Sequence, residues 1–201
     1  MIRRVAILAL QGDFAEHELA LRQNRIEVME IRQKADMQKE FDALILPGGE
    51  STVIGKLLLE LELFAPLQTR IREGLPVLAT CAGLILLADR IENDAAAYFR
   101  TLDVTVRRNA YGRQLGSFSI DGDFGELGRV PMSFIRAPSI KRVGPDVAVL
   151  SEFNGKPTAV LQGKQLALAY HPELLSDHRI LQWFLNKIRF HYFSCISVEI
   201  I

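Results

Sequence analysis

The sequence predicts an α/β fold of three layers, with a mainly parallel central sheet flanked by helices and short antiparallel strands added in the second half. Three observations carry this expectation. Short apolar runs alternate with amphipathic segments through the first half of the chain, and small-residue or glycine turns follow several of those runs. From about Ala97 the pattern changes to shorter, partly alternating segments punctuated by glycine and proline. Strands buried on both faces of a parallel sheet read as continuous apolar runs, whereas antiparallel or mixed additions alternate.

Val5 to Leu10 reads as the first strand, and Phe14 to Arg22, with leucines among charges, as a helix for which Asp13 is the expected cap. Ile26 to Ile31 is the second strand. Asp42 to Leu46 is the third, ended by Pro47-Gly48-Gly49, and Ser51 to Leu63 carries a helical apolar stripe. Pro76 to Thr80 forms a strand that breaks into a helix over Ala82 to Ile91. In the second half, strands are expected at Leu102 to Val106, Ser117 to Ile120, Val130 to Ile135, Val147 to Leu150, Thr158 to Leu161 and Gln165 to Tyr170. Leu174 to Phe190 returns to helix. Residues 1–193 are expected to form a single domain, and 194–201 an apolar, β-branched tail without a clear place in the pattern.

At 201 residues and 49% hydrophobic content, the chain is long enough to bury a sizeable core. Lys plus Arg balances Asp plus Glu at 24 against 24 without long runs of one sign, which argues against a nucleic-acid or membrane surface. Cys81 and Cys195 are too few for a disulfide framework, and a reducing cytoplasm fits best. The apolar start after Arg3-Arg4 is too short for a signal peptide and reads as a buried strand; no segment approaches a membrane span.

Cys81 stands where a strand breaks into the small-residue turn Ala82-Gly83. At a helix N-terminus unpaired N–H groups favour a thiolate, small neighbours permit a strained elbow, and the Ala82 N–H would face an oxyanion. Taken alone, the same cysteine reads as an inert core thiol. His171 follows an apolar strand and lies two residues before Glu173, so an extended segment points both side chains the same way, as an imidazole base and the carboxylate that orients it. The bland reading of His171-Pro172-Glu173 is a helix entry. Gly48-Gly49 lets backbone N–H groups approach a ligand, but the loop lacks the spacing of a phosphate cradle. Arg107, Arg108, Arg113 and Arg136 read, without further context, as solvated surface.

The segments Leu10-Gln11-Gly12-Asp13-Phe14-Ala15-Glu16-His17, Leu46-Pro47-Gly48-Gly49-Glu50-Ser51-Thr52, Thr80-Cys81-Ala82-Gly83, Arg108-Asn109-Ala110-Tyr111-Gly112-Arg113-Gln114, Phe134-Ile135-Arg136-Ala137-Pro138 and His171-Pro172-Glu173 occur in this order. Together they closely resemble the glutaminase subunits of pyridoxal 5′-phosphate synthase, within the triad glutamine amidotransferases, over nearly the whole chain. The resemblance implies the flavodoxin-like class I glutamine amidotransferase fold. It also implies Cys81 as nucleophile, His171 and Glu173 as the rest of the triad, glutamine contacts from Gly49, Glu50, Ser51, Arg108, Ile135 and Arg136, and an oxyanion site at Gly49 and Ala82. Charge logic agrees in outline, since the α-carboxylate of glutamine needs a cation or backbone donors and its α-ammonium an acceptor such as Glu50. Which arginine serves which group is left open. Ala79 departs from the glycine that many triad amidotransferases carry at that position, and the tail from Cys195 to Ile201 matches no family segment.

The resemblance further implies hydrolysis of L-glutamine to glutamate and ammonia with neither metal nor organic cofactor, and delivery of the ammonia to a barrel-shaped synthase subunit in a multimeric complex. Two other readings remain at this point. One keeps the triad but changes the partner, as in the glutaminase of imidazole glycerol phosphate synthesis. The other is a redox-sensing or chaperone protein of the same fold, which would not need His171 or Glu173.

Overall fold

A computed structural model gives the structure of residues 4–108 and 117–196, with side chains to residue 188. Residues 1–3, the Asn109 to Gln114 part of the arginine segment with its Arg113, the side chain of Cys195, and tail residues 197–201 lie outside the described residues. The strands are β1 (Arg4–Leu8), β2 (Glu27–Ile31), β3 (Ala43–Leu46), β4 (Val77–Thr80), β5 (Ala88–Ile91), β6 (Leu102–Arg107), β7 (Ser117–Asp123), β8 (Arg129–Ile135), β9 (Ser139–Val143), β10 (Ala148–Phe153), β11 (Lys156–Gln162) and β12 (Gln165–Leu168). The helices are α1 (Phe14–Gln23), α2 (Ser51–Glu60), α3 (Phe64–Arg72), α4 (Ala82–Leu87) and α5 (Arg179–Ile196), with short 3₁₀ turns at Lys34–Gln38, Gly125–Leu127 and Pro172–Leu174.

The central sheet runs β10-β11-β12-β4-β3-β1-β2. The strands from β12 to β2 are parallel to their neighbours, and β10 and β11 add an antiparallel edge. Within the parallel part, β1 pairs with β2 on one side and β3 on the other. The chain order therefore reverses between β1 and β3, and ligands in open α/β sheets bind at the carboxyl ends of strands flanking such a reversal.

Because successive strand residues face opposite ways, Ala6, Leu8, Leu44, Leu46, Val77 and Ala79 pack against α2, α3 and α4 on one face. Val5, Ile7, Ala43, Ile45, Leu78, Leu166 and Leu168 pack against α1, α5 and β8 on the other. Helices on both faces explain why these strands carry so few polar residues. Two smaller sheets, β5-β6-β9 and the β7-β8 hairpin, extend this body. Their importance is positional, since Arg108 directly follows β6 and Arg136 directly follows β8. Among the described residues no helix is long and apolar enough to cross a membrane.

Several expected elements differ. The helix expected to run to Leu63 stops at Glu60; Glu62 turns through a φ of 54°, and α3 follows, its buried Leu67 and Ile71 on one stripe. Neither glycine nor proline marks the break. The expected Ala82 to Ile91 helix ends at Leu87, and β5 follows at once in a pairing with β6, with Asp89 half-buried and Arg90 exposed. The part from Ala82 to Ala88, buried on every side, has no period by which helix and strand can be told apart, so tertiary pairing decides where one gives way to the other. The last helix starts at Arg179 rather than Leu174, because the Asp177 carboxylate accepts a bond from the Arg179 N–H at 3.0 Å and fixes the first turn there. It also runs on through Ile196, taking in the first residues of the expected tail. The first strand ends at Leu8, and β9 was not anticipated.

Close packing of α4 on the sheet depends on Gly83. A Cβ there would collide with the backbone carbonyl of Leu46 at the end of β3, an atom that the sheet does not let move. Gly83→Ala is accordingly expected to destabilise the fold by about 1–3 kcal/mol, read as a lower urea midpoint with an unchanged denaturant slope.

Candidate active site

Four neighbouring parallel strands end at one edge of the sheet, and each delivers a loop. β1 leads into Gln11 to Asp13, β3 into Gly48 and Gly49, β4 into Cys81, and β12 into His171. Cys81 has a φ of 47° and a ψ of −97°, a strained conformation for a residue with a Cβ, as expected of an elbow. Its N–H donates to the Leu168 carbonyl at 2.8 Å, tying the elbow to the strand that carries the histidine. The helix behind it has only six residues, so what it offers the site is the unpaired N–H groups of its first turn rather than a long macrodipole, and Sγ itself donates to the Ile135 carbonyl at 3.9 Å.

His171 is 3% exposed, and its backbone N–H donates to the Ser133 carbonyl at 2.8 Å. The ring Nδ1 lies 2.8 Å from Glu173 Oε1, and the Glu173 side chain is buried. Asp13 supplies a second carboxylate, its Oδ2 3.2 Å from the same Nδ1. The expected capping role of Asp13 is therefore corrected: it occupies the cap position of α1 but makes no side-chain capping bond, because its carboxylate turns to the imidazole. Burial alone would push the His171 pKa down, but Asp13, the Cys81 thiol and Glu173 outweigh it and hold it well above the ordinary imidazole value. The bond to His171 in turn holds the Asp13 carboxyl below its usual range, against burial. With Nδ1–H committed to carboxylates, Nε2 has no hydrogen-bond partner among the described residues.

These groups open into a cavity of about 290 Å³ lined by Gln11, Asp13, Gly49, Glu50, Ser51, Cys81, Ile85, Arg108, Ile135, Arg136 and His171. The structure thus brings all the glutamine-contact residues expected from the sequence to one space with the thiol and the imidazole. Glu173 lies behind His171, outside the lining. Ala82 is buried and also outside the lining, at the first position of α4. Arg108 is braced by Asp94, 2.9 Å from its Nη1, and by the Tyr98 hydroxyl, 3.2 Å from its Nη2. Arg136 is exposed at the mouth with a φ of 46°, and Ile135 is exposed beside it. Thr52 donates to the Glu50 carboxylate at 3.1 Å. Arg107, by contrast, pairs with Glu92 at 3.1 Å on the exterior.

Gln11, Asp13 and Ile85 were not singled out from the sequence as pocket residues. Gln11 Oε1 accepts from the Glu50 N–H at 2.7 Å, and the Asp13 N–H donates to the Gly48 carbonyl at 3.1 Å, so the first loop holds the glycine loop in place. A Cβ on Gly48 would collide with the His171 ring and the Asp13 carboxylate, which gives that glycine a steric reason. Ligand-type atoms of Asp13, His171 and Glu173 lie within 4.8 Å of one another; the hydrogen bonds among them account for the clustering without an ion.

Comparison with known proteins bears on this arrangement. The model of the SNO glutamine amidotransferase family matches residues 7–190. The pyridoxal 5′-phosphate synthase subunit PdxT of Desulfitobacterium hafniense (strain DSM 10664 / DCB-2) is 56% identical over 185 residues, covering 92% of this chain and 93% of that protein. The subunit of the same name from Methanocorpusculum labreanum is 49% identical, covering 92% and 97%. A crystal structure described as a glutamine amidotransferase superposes with a TM-score of 0.87 at 44% identity, covering 92% of this chain and 98% of that one.

The Asp13–His171 pair has a definite pH signature. A lowered carboxyl contributes stability above its ordinary value and loses it as pH falls through the lowered one; a raised imidazole contributes below its ordinary value and loses it as pH rises through the raised one. Both contributions coexist from the ordinary carboxyl range up to the ordinary imidazole value of 6.5. Asp13→Asn is expected to lower the urea midpoint throughout that window, with the difference from wild type closing as pH falls below 3.8, the ordinary value for this carboxyl.

Proposed function

The chain belongs to the SNO glutamine amidotransferase family, and on that premise we propose that it is the glutaminase subunit of a pyridoxal 5′-phosphate synthase, hydrolysing L-glutamine to glutamate and ammonia. The observation that carries this reading is the shared cavity in which a strained Cys81, an imidazole pinned through Nδ1 and the Gly49 to Ser51 loop meet two arginines. Residues 1–193 then act as one glutaminase domain.

In this mechanism the Cys81 thiolate, its proton carried by the His171 imidazolium, attacks the side-chain amide carbon. Backbone N–H groups near Gly49 and at Ala82 receive the negative charge that develops on oxygen. The His171 imidazolium gives its Nε2 proton to the departing nitrogen, ammonia leaves, and the acyl group remains on sulfur as a thioester. Once the sulfur is bonded to carbon in the tetrahedral adduct it no longer bears a negative charge beside the ring, so the imidazolium yields its proton more readily than before the attack. Neutral His171 next takes a proton from water, the hydroxyl adds to the thioester, and collapse expels the Cys81 thiolate, restoring its pair with the His171 imidazolium while the new γ-carboxyl of glutamate gives its proton to solvent. Glu173 holds the ring and its charge throughout. Arg108 and Arg136 supply cations for the α-carboxylate, and Glu50, oriented by Thr52, an acceptor for the α-ammonium.

Ammonia is largely protonated near neutral pH and then cannot attack a carbonyl, so hydrolysis gains from docking on the enzyme that consumes it. The partner supported by the names of the compared relatives is the barrel-shaped synthase subunit rather than that of imidazole glycerol phosphate synthesis. A redox or chaperone role leaves the His171–Glu173 bond without a purpose. Docking would complete the oxyanion site by moving the Gly48–Gly49 peptide or the Gln11–Gly12 segment. A cytoplasmic location suits a free thiol at Cys81.

Purified chain is expected to release ammonia from glutamine, and to do so faster when a synthase subunit is added. Cys81→Ala should abolish the release, and His171→Ala should reduce kcat by about a thousandfold. Equal turnover with and without the synthase subunit would remove the docking-dependent step; no release in either case from folded, reduced protein would remove the glutaminase reading itself.

A further inference from the structure

Behind the cavity, Glu173 Oε1 receives more than the His171 ring. Thr80, fully buried on β4 one residue before the nucleophile, donates its hydroxyl to that oxygen at 3.2 Å. The Thr80 oxygen lies 3.1 Å from Nε2 of His17 on α1, and that nitrogen is also 3.5 Å from Glu173 Oε1. His17 is 3% exposed and does not line the cavity. Resting on the glutaminase reading above, we propose that His17 and Thr80 are positioning residues, a hydrogen-bonded chain from α1 through β4 that holds Glu173 at the angle and distance His171 requires.

The direction of each bond follows from its atoms. The one hydroxyl proton of Thr80 is committed to Glu173, so Thr80 can only accept from His17, which must carry its proton on Nε2. A neutral ring meets that need. Burial is the largest influence on His17 and keeps its pKa down; Glu173, Asp13 and Glu16 pull it up, and the charge on His171 adds to the downward push. A neutral donor satisfies the carboxylate without bringing a second cation to compete with His171 for it. The placement of Thr80 also has a mechanical result. Glu173 sits in a 3₁₀ turn after β12, and fastening it to β4 joins the segment that carries the base to the segment that carries the nucleophile.

The test compares variants that delete a hydrogen-bonding group with variants that keep it. His17→Phe and Thr80→Val are each expected to lower kcat for glutamine hydrolysis, measured with the synthase subunit present, by about tenfold, within the roughly hundredfold loss that an ångström of misplacement can cause. KM should hold, because neither residue lines the cavity. The double variant should lose no more than the worse single one, since both cut the same chain. His17→Gln and Thr80→Ser, which retain a donor and a hydroxyl, should recover most of the rate.

The rate of Cys81 alkylation by iodoacetamide, followed against pH, needs no glutamine and reads the same cluster directly. It should fall, or its profile move, in the deletion variants alone, even if glutamine proves to be the wrong substrate. If His17→Phe does not fold, Thr80→Val carries the comparison. Unchanged kcat and alkylation in folded deletion variants, or equal losses in the conservative ones, would overturn the positioning role.

Discussion

The pairing of β4 with β12 is the constraint on which the site depends. In sequence the thiol and the imidazole are far apart; in the sheet, Leu78 sits beside Leu166 and Thr80 beside Leu168, so the two strands end together. The Cys81 N–H continues that ladder by one more bond, to the Leu168 carbonyl. A parallel ladder sets both the lateral spacing of the strands and the level at which each ends. What remains for the loops is orientation, and the strained elbow at Cys81 and the short turn after His171 provide it. A one-residue slip of this register would also turn the buried side chains of β12 to the wrong face, so the same apolar pattern that builds the core keeps the thiol and the imidazole level.

Much of this was legible in the residues themselves. The parallel strands announce themselves as apolar runs because helices cover both faces, and the chemistry-bearing residues fall where those runs end. The cysteine elbow and the His171–Glu173 bond follow from local geometry: small neighbours in the first case, two-residue spacing in the second. Asp13 was harder. A carboxylate before a helix reads as a cap, and its turn toward His171 depends on a histidine contributed by a distant strand. Gln11 bonds the Glu50 N–H across the reversal between β1 and β3, which no local spacing encodes. The switch from α4 to β5 was equally hidden, because the buried run up to Ala88 carries no period that could mark its end, and only the pairing with β6 makes Ala88 to Ile91 a strand.

The charges at the site are arranged in depth. Outermost are groups complementary to the two ends of an amino acid, Arg108, Arg136 and Glu50, with Arg108 braced by its own carboxylate and phenol. Inside them lie the thiol and the imidazole, and behind these a buried carboxylate with its supports. Each charged side chain in the inner part has a partner of opposite sign or a hydrogen-bond donor, which makes an ionised cluster tolerable where water is scarce. Such a cluster keeps its geometry before any ligand arrives, and preorganisation of that kind is what makes fixed dipoles effective on a developing charge.

The absence of a side chain at Gly48 has a consequence beyond fit. The backbone of that loop rests directly against the His171 ring and the Asp13 carboxylate, so the loop cannot be displaced without altering the surroundings of both. Loop position and proton affinity are therefore two readings of one equilibrium, and thermodynamic linkage makes their influence mutual. In the pH ranges where either group titrates, whatever moves the loop takes up or releases protons as it does so, and a change of pH there in turn shifts where the loop prefers to lie.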